Sequence, residues 1–205
     1  MYFYPAKPTL ITLRQPLFQK LNSNPDYVGE LKYNGDRLEL ITPDGGKTFQ
    51  FWNRHGGRFK FDPSARLLES LDRLDLEGWC QLDGELIDHK TKTVKKTVVL
   101  WDVIVYNGEL QLKLYEERRE LLWEIFGKPE EVFDMPEEGV VNMTPQWPAG
   151  EFQEVYDTYT KVAWIEGLVM KDKKARLIVG RTSCPDVTTM YKVRKAQATN
   201  PLMRW

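Results

Sequence analysis

Two cysteines, Cys80 and Cys184, and two histidines, His55 and His89, are all the chain holds of the usual disulfide-forming and zinc-binding side chains. They are widely separated, so their spacing makes neither a disulfide framework nor a zinc site. Sparse cysteine fits a reducing, intracellular setting such as the cytoplasm. No apolar run is long enough to span a bilayer. Met1-Tyr2-Phe3-Tyr4-Pro5 lacks the charged flank and sustained apolar core of a secretory signal, so no membrane association is expected. There is no excess charge of either sign: 29 Lys and Arg oppose 30 Asp and Glu, a net charge of −1. A polyanion would therefore have to be bound by a local patch. The charge is unevenly spread, with 116–138 acid-rich and 171–195 rich in Lys and Arg. Internal repeats and low-complexity segments are missing as well.

What is present is ordinary globular material, 41% apolar and 29% charged over 205 residues, enough for the core of one domain spanning 1–205. Pro5, Pro8, Pro16 and Pro25 leave room for one short helix, Leu17–Leu21. The runs Tyr27–Tyr33 and Arg37–Thr42 flank Asn34-Gly35. That dipeptide suits a turn with φ > 0 at both centres, so a β-hairpin is expected. Pro43-Asp44-Gly45-Gly46 turns the chain into a third strand, Lys47–Trp52. Asp62 and Pro63 have the chemistry of an N-cap and first helical residue, with Ala65, Leu67, Leu68, Leu71 and Leu74 on one face. Strands are expected within Trp79–His89 and over Thr97–Tyr106, the latter closed by Asn107-Gly108. A helix over Tyr115–Phe126, a loop over Pro129–Gly139, a short strand over Val140–Met143 and a helix from Glu151 to about Val162 follow.

Several residues carry possible chemistry. Lys32, between Glu30 and Arg37, is either a nucleophile over an anionic site or part of a solvated hairpin end. Asn53–Arg58 joins two glycines to two arginines, which suits phosphate contact by Arg54 or a plain loop. Glu85 lies in an apolar strand, costly unless it is paired or serves a ligand or metal. Trp101 is a core residue or a base-stacking platform. Glu166 opens a strand at a sheet edge, and Lys171 is either a surface or a phosphate-facing lysine. Period two puts Lys192 and Arg194 on one strand face.

Lys32-Tyr33-Asn34-Gly35-Asp36-Arg37 resembles the Lys-x-Asp-Gly-x-Arg signature of covalent nucleotidyltransferases, which include ATP-dependent DNA and RNA ligases and mRNA capping enzymes. Four further stretches resemble family motifs in order: Asp83-Gly84-Glu85, Leu100-Trp101-Asp102, Glu166-Gly167-Leu168-Val169-Met170-Lys171, and Met190-Tyr191-Lys192-Val193-Arg194. Asn34 replaces the usual Asp, Trp101 the commoner Phe, and Arg194 the second Lys. The resemblance is strongest to the ATP-dependent DNA ligases. It implies an α+β fold of antiparallel sheets with flanking helices, an ATP-grasp-like adenylation domain holding the nucleotide between sheets.

The resemblance also implies roles. Lys32 takes AMP from ATP. Glu30 reads the adenine amino group, Trp101 stacks on the base, and Glu85 contacts the ribose and supports the metal. Glu166 binds Mg²⁺, Lys192 and Arg194 face the α-phosphate, and Arg37 touches nucleotide and nucleic acid. Arg54 grips the nucleic acid end. AMP then passes to a 5′-phosphate, and a 3′-hydroxyl displaces it at a nick in duplex DNA; a monomer is expected. An RNA or mixed-end ligase is the nearest alternative, with a capping guanylyltransferase or a non-catalytic nucleic-acid-binding module behind it. Ala196–Trp205 is too short for the OB domain that usually follows.

Overall fold

The computed structural model describes residues 2–130 and 132–195; the expectation about 196–205 lies outside them. In chain order the elements are β1 (Tyr4–Pro5), β2 (Lys7–Leu10), α1 (Pro16–Asn22), β3 (Tyr27–Tyr33), β4 (Asp36–Thr42), β5 (Gln50–Asn53) and α2 (Ala65–Leu71). Next come β6 (Cys80–Ile87), β7 (Thr97–Tyr106), β8 (Glu109–Leu110), α3 (Tyr115–Ile125), β9 (Val141–Met143) and β10 (Trp147–Pro148). The last are α4 (Phe152–Tyr159), β11 (Ile165–Asp172), β12 (Val179–Gly180) and β13 (Asp186–Arg194). None of these helices is long and apolar enough to cross a membrane.

Two sheets carry the fold. One has the order β10-β3-β11-β13-β2, the other β5-β4-β6-β7-β8 with β9 added beside β7. Most pairs are antiparallel; β13–β2 and β7–β9 are parallel. Alternation decides which face each residue takes. Leu38, Leu40, Leu82 and Leu100 enter a core with Leu67 and Leu71 of α2 and Leu122 and Ile125 of α3. Leu31, Tyr33, Leu168, Met170 and Val193 join Phe18 of α1 and Phe152, Val155 and Tyr156 of α4 in a second core. The α+β class with antiparallel sheets and flanking helices is thus as expected.

Asn34-Gly35 does not close a hairpin. β3 pairs with β10 and β11, whereas β4 pairs with β5 and β6, so the dipeptide carries the chain from one sheet to the other. Neither residue has positive φ. Glycine is needed at 35 for another reason: a Cβ there would lie 2.4 Å from the Leu86 carbonyl oxygen and 2.6 Å from Glu85 Cγ. Asn107 and Gly108 do take positive φ, 49° and 78°, and close the β7–β8 hairpin.

Three smaller expectations shift. The third strand starts at Gln50 rather than Lys47, because the Asp44 carboxylate accepts from the Thr48 N–H and hydroxyl and holds 44–48 as a turn. Ser64, not Asp62, caps α2, its hydroxyl accepting from the Leu67 N–H at 3.3 Å. The helix ends at Leu71, so Leu74 packs from beyond its C-terminus, and Leu68 is 38% exposed. The helix expected to reach Val162 ends at Tyr159.

Candidate active site

The inner faces of the two sheets enclose a cleft of about 460 Å³, within the usual range for small-ligand sites. All nine candidate residues line it: Glu30, Lys32, Arg37, Arg54, Glu85, Trp101, Glu166, Lys192 and Arg194.

One wall is made by β3, β11 and β13. Register places Lys32, Gly167 and Arg194 in one cross-strand row and Glu30, Val169 and Lys192 in the next. Gly167 is required here, because a Cβ would sit 1.9 Å from the Val193 carbonyl oxygen. Its missing side chain leaves the space between Lys32 and Arg194 open. Glu166 is brought into that space by a break in register. Ile165 pairs with Tyr33 and Gly167 with Lys32, so Glu166 is the extra residue of a β-bulge and turns toward the cleft. Lys32 Nζ lies 2.9 Å and Arg194 Nε 3.4 Å from Glu166 Oε2. Neither contact has hydrogen-bond geometry, and this buried oxygen is otherwise without a partner. Burial, then Arg194, Lys32 and Lys7, push the Lys192 ammonium below its ordinary pKa.

The facing wall is made by β4, β6 and β7. Glu39 stands opposite Asp83, and Arg37 opposite Glu85. Arg37 forks onto Asp83, Nε to Oδ1 at 2.9 Å and Nη2 to Oδ2 at 2.6 Å, and also donates to the Ala6 carbonyl at 2.9 Å. Burial pushes Glu39 well above the carboxylate range, and Asp83 adds to the effect. Glu85 accepts from the Gly35 N–H at 3.0 Å. Burial raises its carboxyl to about 7, Glu166 adding to the rise while Lys32, the Gly35 amide and Lys90 oppose it. Trp101 is also a bulge residue, since Asp83 pairs with Asp102 while Gly84 pairs with Leu100.

The end of the cleft near Trp101 holds a buried network that the motifs did not announce. Lys171, 5% exposed, is neither surface nor free to meet phosphate. Its Nζ pairs with Glu30 Oε2 at 2.6 Å and lies 4.7 Å from the Tyr115 ring centroid and 5.7 Å from that of Trp101. Glu30 Oε1 also accepts from Tyr115 Oη and from Gln146 Nε2. Beside it, Arg118 forks onto Asp102 at 2.7 and 2.9 Å. Lys90, which donates to the Gly35 carbonyl at 2.6 Å and pairs with Asp36 at 2.7 Å, clips the loop after Lys32. A signal for Lys171 existed in its even offset from Val169 on a cleft-facing strand; Tyr115, Gln146 and Lys90 gave none.

A magnesium ion is the metal the resemblance implies. Among the described residues no three His, Cys, Asp or Glu side chains come together as a metal cage. The unpartnered Glu166 Oε2 and the buried Glu85 nevertheless fit a hard ion that takes one or two carboxylates and completes its shell with phosphate and water.

No protein-family model and no curated protein matches the chain. Solved structures do. The ligase domain of LigD from M. tuberculosis superposes with a TM-score of 0.58 at 16% identity, over 93% of this chain and 59% of that one. The ATP-dependent DNA ligase of bacteriophage T7, in complex with ATP, gives 0.53 at 16%, over 93% and 68%. The Chlorella virus DNA ligase-adenylate gives 0.54 at 15%, over 94% and 69%. The fold is therefore that of the nucleotidyltransferase domain of ATP-dependent DNA ligases. The chain spans 47% to 60% of the first four structures it matches.

Proposed function

We propose that this chain is an ATP-dependent polynucleotide ligase, joining a 3′-hydroxyl to a 5′-phosphate at nicks in duplex DNA through a Lys32–AMP intermediate. The observation that carries this reading is the row Lys32–Gly167–Arg194 with Glu166 bulged into it, facing Glu85 and Trp101 across one cleft. A fold shared with ligases solved with ATP and as an adenylate supports it.

In this reading the base lies against Trp101, near Glu30. Lys192 and Arg194 lie along the phosphates and neutralise charge that grows in the transition state. The Lys32 ammonium gives a proton to water and leaves Glu166, and the free amine attacks the α-phosphorus. A P–N bond forms, the bond to the β-phosphate oxygen breaks, and pyrophosphate leaves. Magnesium held by Glu166 and Glu85 would supply further positive charge at the phosphates. A 5′-phosphate oxygen next attacks the same phosphorus and releases the Lys32 amine. Finally the 3′-hydroxyl attacks the 5′-phosphate and AMP departs. Arg37 and Arg54 contact the nucleic acid end. Nothing in the geometry separates a DNA strand from an RNA strand, so RNA or mixed ends stand as the second substrate class.

With α-labelled ATP and Mg²⁺, the protein should acquire an acid-labile AMP adduct, and Lys32→Ala should lack it. GTP should label poorly. Equal labelling of the Lys32→Ala protein would end this reading, and preferred labelling by GTP would point to cap formation instead. Sealing of nicks with DNA or RNA on each side then sorts the substrate classes.

A further inference from the structure

Just beyond Tyr33 the chain passes from one sheet to the other at Asn34-Gly35, with no positive φ to fix a tight turn. Glycine has more backbone freedom to lose than any other residue, so this crossing has to be held by its surroundings. Two ties come from elsewhere in the fold. The Asn34 N–H donates to the Trp164 carbonyl at 2.9 Å, and the Gly35 N–H to Glu85 Oε1 at 3.0 Å. Lys90 adds two more. Its Nζ donates to the Gly35 carbonyl at 2.6 Å and pairs with Asp36 Oδ1 at 2.7 Å. Lys90 stands in the 88–96 loop between β6 and β7, and that loop is itself anchored. Val94 is buried in the core that holds Leu31 and Tyr33, Thr91 Oγ1 donates to the Val94 carbonyl, and Lys95 Nζ donates to the Asp88 carbonyl.

An exposed lysine gains freedom by staying in water, and a half-exposed ion pair returns little. Stability therefore does not account for a lysine at the edge of the cleft that puts two of its three donors on one short segment. What that segment joins is Lys32 to Glu85. Gly35 follows Lys32 by three residues and is bonded to the Glu85 carboxylate. A Cβ at 35 would lie 2.4 Å from the Leu86 carbonyl oxygen, so the crossing already lies against β6 and can only move away from it. Any such movement would carry the end of β3 away from Glu85 and open the distance between the two walls at Lys32.

We propose that Lys90 is a positioning residue: it holds the Asn34-Gly35 crossing against β6, so that Lys32 and Glu85 keep the separation that adenylyl transfer needs. This rests on the ligase reading for its reaction, and the test separates the two.

Lys90→Met keeps the stem and removes the donors, Lys90→Arg keeps charge and donors, and Lys92→Met, at an exposed position of the same loop, is the charge-matched control. Single-turnover AMP transfer to the full chain is measured across a range of ATP with Mg²⁺. A misplacement of about 1 Å costs on the order of 10²-fold in rate, so Lys90→Met should slow the saturated rate by roughly 10- to 100-fold. Its KM for ATP should stay within about twofold of wild type, because ground-state binding is not what is lost. Lys90→Arg should recover most of the rate, and Lys92→Met should lose none. Melting temperatures should stay within about 4 °C of wild type, as for any half-exposed pair. Hydrogen exchange gives a second readout that needs no ATP: in Lys90→Met the Gly35 N–H should exchange on the order of tenfold faster, while amides within β6 and β7 keep their rates. Unchanged exchange at Gly35 would overturn the proposal whatever the rates. So would a raised KM at an unchanged saturated rate, which would make Lys90 a nucleotide contact, or equal slowing by Lys92→Met, which would make the effect one of general charge. A wild-type chain that takes up no AMP refutes the ligase reading; faster Gly35 exchange in Lys90→Met would then still uphold the hold of Lys90 on the crossing.

Discussion

The two walls of the cleft use the same strand geometry and opposite chemistry. The β3–β11–β13 wall presents Lys32, Lys171, Lys192 and Arg194 against three acids, Glu30, Glu166 and Asp172. The β4–β6–β7 wall presents Asp36, Asp83, Glu85 and Asp102 with Arg37 alone among its own strands, and borrows Arg118 from α3. The first wall leaves positive charge to spare: among the described residues Lys192 has no ion pair, and Arg194 remains 45% exposed at its side chain. In the sheet of the second wall, burial holds up the carboxyls of Glu39 and Glu85 despite the cations near them. One wall is prepared for an anion and the other for a proton or a metal, which is what a nucleotide with its ion requires. Four substitutions break this contrast at different points.

The largest effect should come from Arg118→Ala. It leaves Asp102 buried without its partner, and removing one member of a buried pair costs about 3–5 kcal/mol. At roughly 2–4 °C per kcal/mol for a chain of this size, the melting temperature should fall by about 6–20 °C. A drop of only a degree or two would mean that Asp102 does not depend on Arg118. Lys7→Ala, which breaks an exposed pair with Asp186, should change stability by less than about 1 kcal/mol.

Glu166→Gln keeps size and fold but removes the charge that faces Lys32 and Arg194. AMP transfer to Lys32 should slow on the order of 10²-fold or more, with an unchanged melting temperature. Single-turnover labelling measures it; a loss under fivefold would remove Glu166 from the reaction.

Trp101→Ala should raise the apparent KM for ATP by an amount corresponding to about 1–3 kcal/mol of stacking, while Trp101→Phe should be nearly silent. If Trp101→Ala instead unfolds the protein and the Phe variant does not bind ATP, the ring serves the core and not the base.

A further test is the effect of Glu85 on stability against pH. Its folded pKa, about 7, lies above the ordinary 4.5. Its favourable contribution is therefore complete below about pH 4.5 and is lost as pH rises through about 7, by at most about 1.4 kcal/mol per pH unit. Glu85→Gln can still accept from the Gly35 N–H and lacks this titration. In metal-free buffer the variant should gain on the wild type as pH rises from 5 to 8. Parallel denaturant midpoints across that range would show that Glu85 ionises normally in the fold.

Much of the frame was legible in the sequence. Period-two alternation marked β3, β4 and β6, a nearly unbroken apolar run marked β7, and helical periodicity marked α2, α3 and α4, because each of these patterns answers to a core. The ordered motifs from Lys32 to Arg194 pointed to residues that the fold brings to one cleft. Asn34-Gly35 misled because its local preference for a hairpin was overruled by two sheets that each offered a better-matched partner strand. The even offset from Val169 could put Lys171 on the cleft side, but nothing within its own strand foretold the buried glutamate on the neighbouring strand that meets it there.

Residue pattern alone determined the strands, their buried faces and the order of the chemical groups along the chain, since these depend on neighbours a few positions away. Tertiary structure decided the two extra residues that β-bulges turn toward the cleft, Glu166 and Trp101, and the pairing of Glu30 with Lys171. Register and bulges are set between strands distant in sequence. A one-residue slip reverses which face a side chain meets, and only the assembled sheets hold the information that prevents it.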